Sequence, residues 1–324
     1  MRPTIATLRR LARRRPTGSP RIAVLGNCQG AAVATALRLL LPGAHVAYQS
    51  VYRIARRYPT MADLLAELAG CDTVFAGSFA APFRDGGTFE NLRAGTGLVQ
   101  MPVIVFSAYH PDIVYVGDPS DAARLVKTPL GGYNSALVLF GFLQGLSVDE
   151  TVRLFCPEAC RVVGYLGLWE ASGETLLGLG RDAGWDLGPD LARWARRGPF
   201  MHMINHPRTF VTNDLARGLL DRAGVPYPAV DLDSYVADEI ARLGSWPLYP
   251  AIAEQFGLAG SHVFLRPAEK DAMPRTIRLR AFVDGSFASY RAAGRERLAC
   301  PRVEQWLEAA EVVRHLRDIV RREH

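Results

Sequence analysis

The feature that most constrains this chain is a strand, a tight polar turn and a helix in immediate succession. Arg21-Ile22-Ala23-Val24-Leu25 is a short apolar run closed by Gly26, and helical spacing follows from Ala31 to Leu41, ended by Pro42-Gly43. A short continuous apolar run of this kind reads as a strand buried on both faces of a parallel sheet. The pattern then repeats. His45 to Val51 alternates like a second strand, Met61 to Leu68 is spaced as a helix, Asp72 to Ala76 is a third strand ending at Gly77, and Val103 to Phe106 reads as a fourth. Alternating strands and helices predict an α/β fold with a parallel sheet and crossover helices. Beyond residue 130 the periodicity is helical: Ser135–Leu146, Val148–Phe155, Glu174–Ala183, Leu191–Arg196, Arg208–Ala223, Val236–Leu243, Leu279–Tyr290 and Val303–Arg322. The expectation is a basic flexible arm over 1–20, then a single α/β domain over 21–324 with a large, mainly helical second half.

Composition removes several function classes. Of 324 residues, 49% are hydrophobic and 22% charged, which excludes a disordered chain. The net charge of +6 is carried almost wholly by arginine, with lysine only at Lys127 and Lys270. Arg2, Arg9, Arg10, Arg13, Arg14 and Arg15 crowd the first fifteen residues, without the interleaved aromatics of a nucleic-acid stacking platform. They read as a solvated arm, and no nucleic-acid partner is expected. No apolar stretch of the length of a signal's h-region follows the arm, so no secretory signal is expected. The longest apolar stretch, Ser135 to Leu146, is shorter than the ~20 residues that span a bilayer. Five cysteines, at 28, 71, 156, 160 and 300, form no disulfide framework or zinc pattern. A reducing cytoplasm and no metal are expected.

The turn Gly26-Asn27-Cys28-Gln29-Gly30 is the first chemical site. In open α/β sheets ligands bind at the carboxyl ends of strands, where helix N-termini present free N–H groups. Cys28 there is a candidate nucleophile with a lowered pKa, and Asn27, Gln29 and Gly30 are candidate oxyanion or substrate contacts. The turn is neither a dinucleotide fingerprint nor a phosphate-binding P-loop, since it lacks G-x-G-x-x-G and G-K-[ST].

Three further segments carry candidates. Ser107-Ala108-Tyr109-His110-Pro111-Asp112 follows the expected fourth strand, and offers His110 as a base with Asp112 as its orienting carboxylate. Met201-His202-Met203-Ile204-Asn205-His206-Pro207 offers His206 as a base and Asn205 as a substrate contact, at a helix expected to start at Pro207. His202 is the weaker candidate there. Lys127 to Ser135 joins a glycine-containing loop to a helix start, and Lys127, Asn134 and Ser135 are candidate cofactor contacts.

Gly26-Asn27-Cys28-Gln29 after a first strand, Tyr109-His110-Pro111-Asp112, Asn205-His206-Pro207, and Tyr133-Asn134-Ser135 leading to Phe142-Leu143-Gln144-Gly145-Leu146-Ser147 together resemble the WcbI-type polysaccharide biosynthesis family. The resemblance spans roughly residues 20 to 300. It implies a fold related to SGNH/GDSL hydrolases, binding of coenzyme A or acetyl-CoA, and O-acetylation of a sugar in bacterial capsule assembly. The SGNH pattern carries serine where Cys28 stands, and aspartate three residues before its late histidine where Met203 stands. The function implied is an acyl-CoA-dependent O-acetyltransferase. An esterase or thioesterase, or a non-catalytic CoA- or glycan-binding component of an assembly complex, are the alternatives.

Overall fold

The computed structural model describes residues 19–118, 123–267 and 273–322. The arm expected over 1–20 lies almost wholly outside the described residues. The chain divides into two compact units, one running to Met101 and including Asn213–Leu232, the other made of Pro102–Thr212 and the chain from Asp233 onward.

The first unit is an α/β layer. Its strands are β1 (Arg21–Gly26), β2 (His45–Ser50), β3 (Thr73–Gly77) and β4 (Val99–Met101). All pair in parallel in the order β2-β1-β3-β4, with Arg21 opposite His45, Ile22 opposite Thr73 and Phe75 opposite Val99. Val24 and Leu25 have no exposed surface, as a central strand covered on both faces requires. Helix α1 (Cys28–Leu40) follows β1, and buries Val33, Ala34, Leu37 and Leu40 at three- and four-residue spacing. The short helix α2 (Ile54–Arg57) follows β2, and α3 (Met61–Leu68) opens with a capping box between Thr60 and Asp63. Ala23, Leu25, Ile54, Met61, Leu64, Val74 and Leu92 form the core.

The fourth strand is not where periodicity puts it. Pairing uses Val99–Met101, while Val103–Phe106 joins no sheet. Pro102 has no N–H to donate and ends the ladder there. Phe106 N instead donates to Ile204 O at 2.8 Å. The order β2-β1-β3 has a direct consequence for function. The chain leaves β1 to one side and returns to the other, so the carboxyl ends of β1 and β3 flank the switch point where open sheets bind ligands.

The second unit is mainly helical, as expected. Helices Ala136–Leu143, Leu279–Ala293, Pro301–Glu308 and Ala310–Arg321 contribute Phe140, Phe282, Tyr290, Val303 and Leu316 to a core that also includes Trp246 and Phe264. The helix expected over 303–322 is broken at Ala309, whose ψ of 92° is not helical. Of Val236–Leu243 only one 3-10 turn forms, Ala241–Leu243. No helix starts at Pro207: Met201–Met203 and His206–Pro207 pair as a short antiparallel hairpin, and the helix begins at Thr209. Among the described residues no helix is long and apolar enough to cross a membrane.

Candidate active site

Candidate chemistry lies in both units. In the first, α1 begins at Cys28 itself, three residues earlier than its apolar periodicity suggests. Asn27 is the N-cap, and its Oδ1 accepts from Gln29 N at 2.9 Å. The carboxamide oxygen is therefore spent on the cap, leaving the NH2 to donate elsewhere. The Tyr48 hydroxyl, from β2, lies 3.0 Å from Gly26 O and 2.9 Å from Asn27 O, and shares its one hydrogen between the two carbonyls. Gly26 is required by packing: a Cβ there would stand 2.9 Å from Gly30 Cα. Gln29 and Gly30 are buried, and Cys28 is partly exposed. Burial pushes the Cys28 thiol above its ordinary value, and the Gln29 N–H offsets only part of that. The helix terminus thus presents a thiol, not the thiolate its position suggests.

In the second unit, the hairpin brings Asn205 and His206 together with two tyrosines that motif reading did not single out. Tyr133 donates to Asn205 Oδ1 at 2.8 Å, and Asn205 Nδ2 donates to Tyr115 Oη at 3.2 Å. Tyr133 Oη also stands 3.2 Å from His206 Nε2. One phenolic hydrogen cannot serve both contacts, so the shorter takes it and Nε2–H of His206 donates to the Tyr133 oxygen. That tautomer leaves Nδ1 as the acceptor, and Nδ1 is buried with no hydrogen-bond partner. Burial, with His202 adding to it, lowers the His206 pKa to about 4. The ring is neutral at physiological pH. His202 Nε2 and Asp238 Oδ2 are 2.7 Å apart. Nothing in the sequence marked Asp238, which lies in a segment that reads as helix but is not one.

His110 and Asp112 do not form the pair their spacing suggests. His110 Nε2 is 3.3 Å from Met201 O, and its Nδ1 is also buried without a partner. Burial lowers its pKa to about 4. Asp112 has no exposed surface and is a structural hub: Oδ1 accepts from Leu137 N and the Tyr165 hydroxyl, and Oδ2 from the Tyr249 hydroxyl at 2.8 Å. Burial still raises its pKa.

Of the loop candidates, Lys127 is exposed, while Asn134 and Ser135 have no exposed surface. Asn134 Nδ2 donates to Val126 O and Gly132 O, which holds the loop closed. Ser135 caps the helix Ala136–Leu143 by accepting from Val138 N.

The comparisons agree with this architecture. A solved structure of WcbI shares the fold, with a TM-score of 0.59, 15% identity, and coverage of 94% of this chain and 98% of that one. That structure is described as a novel polysaccharide biosynthesis enzyme, and as native protein without a disulfide bond between CoA and one of its cysteines. No curated protein matches the chain. The family model of the polysaccharide biosynthesis enzyme WcbI matches residues 21–228, from β1 through the switch-point turn and the Asn205-His206 hairpin, and the chain belongs to that family.

Proposed function

We propose that this enzyme transfers an acyl group from acyl-CoA, acetyl-CoA in the first instance, to a hydroxyl of a sugar or glycan intermediate. The observation that carries the reading is the Gly26–Gln29 turn, with its thiol at a helix N-terminus on the sheet's switch point, in a member of a polysaccharide biosynthesis family. An SGNH-like division of labour belongs to the same reading.

The protonation states favour direct transfer. In the second unit, His206, neutral at physiological pH, is the candidate general base. In the transfer the C–O bond forms, the C–S bond breaks, and the hydroxyl proton ends on the CoA thiolate. In the first unit, the backbone N–H groups of the α1 terminus, with the Asn27 and Gln29 amides, are the candidate oxyanion contacts. Asn205 and the two tyrosines fix the imidazole tautomer. The burial-raised Cys28 thiol serves as a neutral neighbour of the donor sulfur rather than as a resting thiolate. Lys127 is offered as a contact for the donor, on a loop whose shape Asn134 and Ser135 maintain.

The test is transfer of labelled acetyl from acetyl-CoA to a panel of sugar nucleotides and oligosaccharides, with intact-mass analysis of the protein. The expected result is an alkali-labile O-acetyl product and no accumulated acyl-Cys28. His206→Ala should lower the rate by about a hundredfold or more, the usual worth of a positioned base. Acyl-CoA consumption with no acceptor present would mark a thioesterase instead, and binding without turnover would mark a carrier.

A further inference from the structure

The first unit holds a cavity of about 490 Å³ at the carboxyl end of β2, lined among others by Tyr48, Gln49, Ser50, Arg53, Arg56 and Arg57. Three arginines line it within five residues of chain. Among the described residues none of the three is ion-paired with a carboxylate, whereas Arg93, Arg193, Arg197 and Arg217 elsewhere each are. The Arg57 guanidinium lies over the Tyr58 ring, 5.4 Å from its centroid. Like charges gathered around one cavity repel one another, and a bound anion relieves that repulsion. Planar guanidinium groups also match phosphate oxygens in geometry.

Tyr48 makes the cavity more than a surface patch. Tyr48, which lines it, is also the residue whose hydroxyl bonds to the Gly26 and Asn27 carbonyls, so one residue joins the cavity to the Cys28 turn. The cavity's size falls within the ~300–1,000 Å³ usual for small-molecule sites. Resting on the acyl-CoA reading above, we infer that Arg53, Arg56 and Arg57 bind the phosphates of the donor's nucleotide end, while its thioester lies at the Cys28 turn.

The experiment is calorimetry of CoA, dephospho-CoA, pantetheine and a uridine-diphosphate sugar. The proteins are wild type, Arg53→Glu/Arg56→Glu/Arg57→Glu, the corresponding triple Gln variant, and a control with Arg84→Glu, Arg196→Glu and Arg291→Glu. The control has the same net charge as the Glu triple variant. Circular dichroism confirms folding, and the milder Gln set is used if the Glu set fails it. The expected result is CoA affinity reduced about tenfold or more in the pocket variants and changed much less in the control, with pantetheine binding weakly and equally to all. Dephospho-CoA should lose less than CoA does. Equal CoA affinity in wild type and both pocket variants overturns the phosphate assignment and leaves the acyl-CoA reading standing. Loss of the uridine-diphosphate sugar alone overturns it too, by giving the pocket to the acceptor. A wild type that binds no CoA at all refutes the acyl-CoA reading and this inference with it.

Discussion

At Cys28 two opposing effects meet. The first N–H groups of a helix favour an anion, while removal from water penalises one, and burial prevails here. The chemical consequence is a slow thiol. In the free protein, alkylation of Cys28 by iodoacetamide should follow a titration with a midpoint above 9.0, the ordinary value. At neutral pH it should be slower than in urea, where unfolding removes the burial that raises the thiol. Peptide mapping of alkylation rates against pH measures this, and a midpoint below 9.0 would restore the thiolate nucleophile. The placement of Cys28 on a strand–turn–helix was legible from residues 21–41 alone. Its titration was not, because burial is supplied by chain remote in sequence. Asp112 illustrates the same limit. Its spacing from His110 suggested a catalytic pair, but its partners, Tyr165 and Tyr249, lie 53 and 137 residues away.

Elements were legible where a local signal marked their ends. Met61–Leu68 has the same bounds by periodicity and in the structure, because Thr60 and Asp63 announce its start. The break at Ala309 carries no glycine or proline to announce it, and the choice between Val99–Met101 and Val103–Phe106 as the fourth strand is made by pairing, which periodicity does not see. Capping offers a test that separates scaffold from chemistry. Asn27→Ala and Thr60→Ala each remove an N-cap, and each should cost about 1 kcal/mol in urea unfolding. Asn27 also holds the turn that bears Cys28, so its variant should lose acyl transfer well beyond any effect of Thr60→Ala. Equal activity in the two, at equal stability loss, would reduce the Asn27 turn to scaffold.

For the whole molecule, acid is the condition to which this architecture is most exposed. The second unit seals two neutral imidazoles, His110 and His206, at 3% and 5% exposure, each with a pKa near 4 against an ordinary 6.5. Their folded pKa values are depressed, so between pH 6.5 and about 4 the unfolded chain binds protons that the folded chain does not. Stability from this source is complete above pH 6.5 and is lost as pH falls through that window. At full extent each histidine accounts for about 3 kcal/mol, which is large against a typical total of ~5–15 kcal/mol. The burial-raised carboxyl of Asp112 acts in the opposite sense, taking up a proton on folding as pH falls towards its own titration. The cleanest probe is therefore His110→Gln, which keeps a donor for the Met201 carbonyl and removes the titration. Urea unfolding of wild type and variant at pH 7.5, 6, 5 and 4.5 should give a variant whose stability falls less steeply, by close to one proton in the linkage slope. Parallel slopes across the whole range would mean that His110 is protonated in the folded enzyme as readily as in the unfolded chain, and that neutral imidazole is not the resting state of this unit.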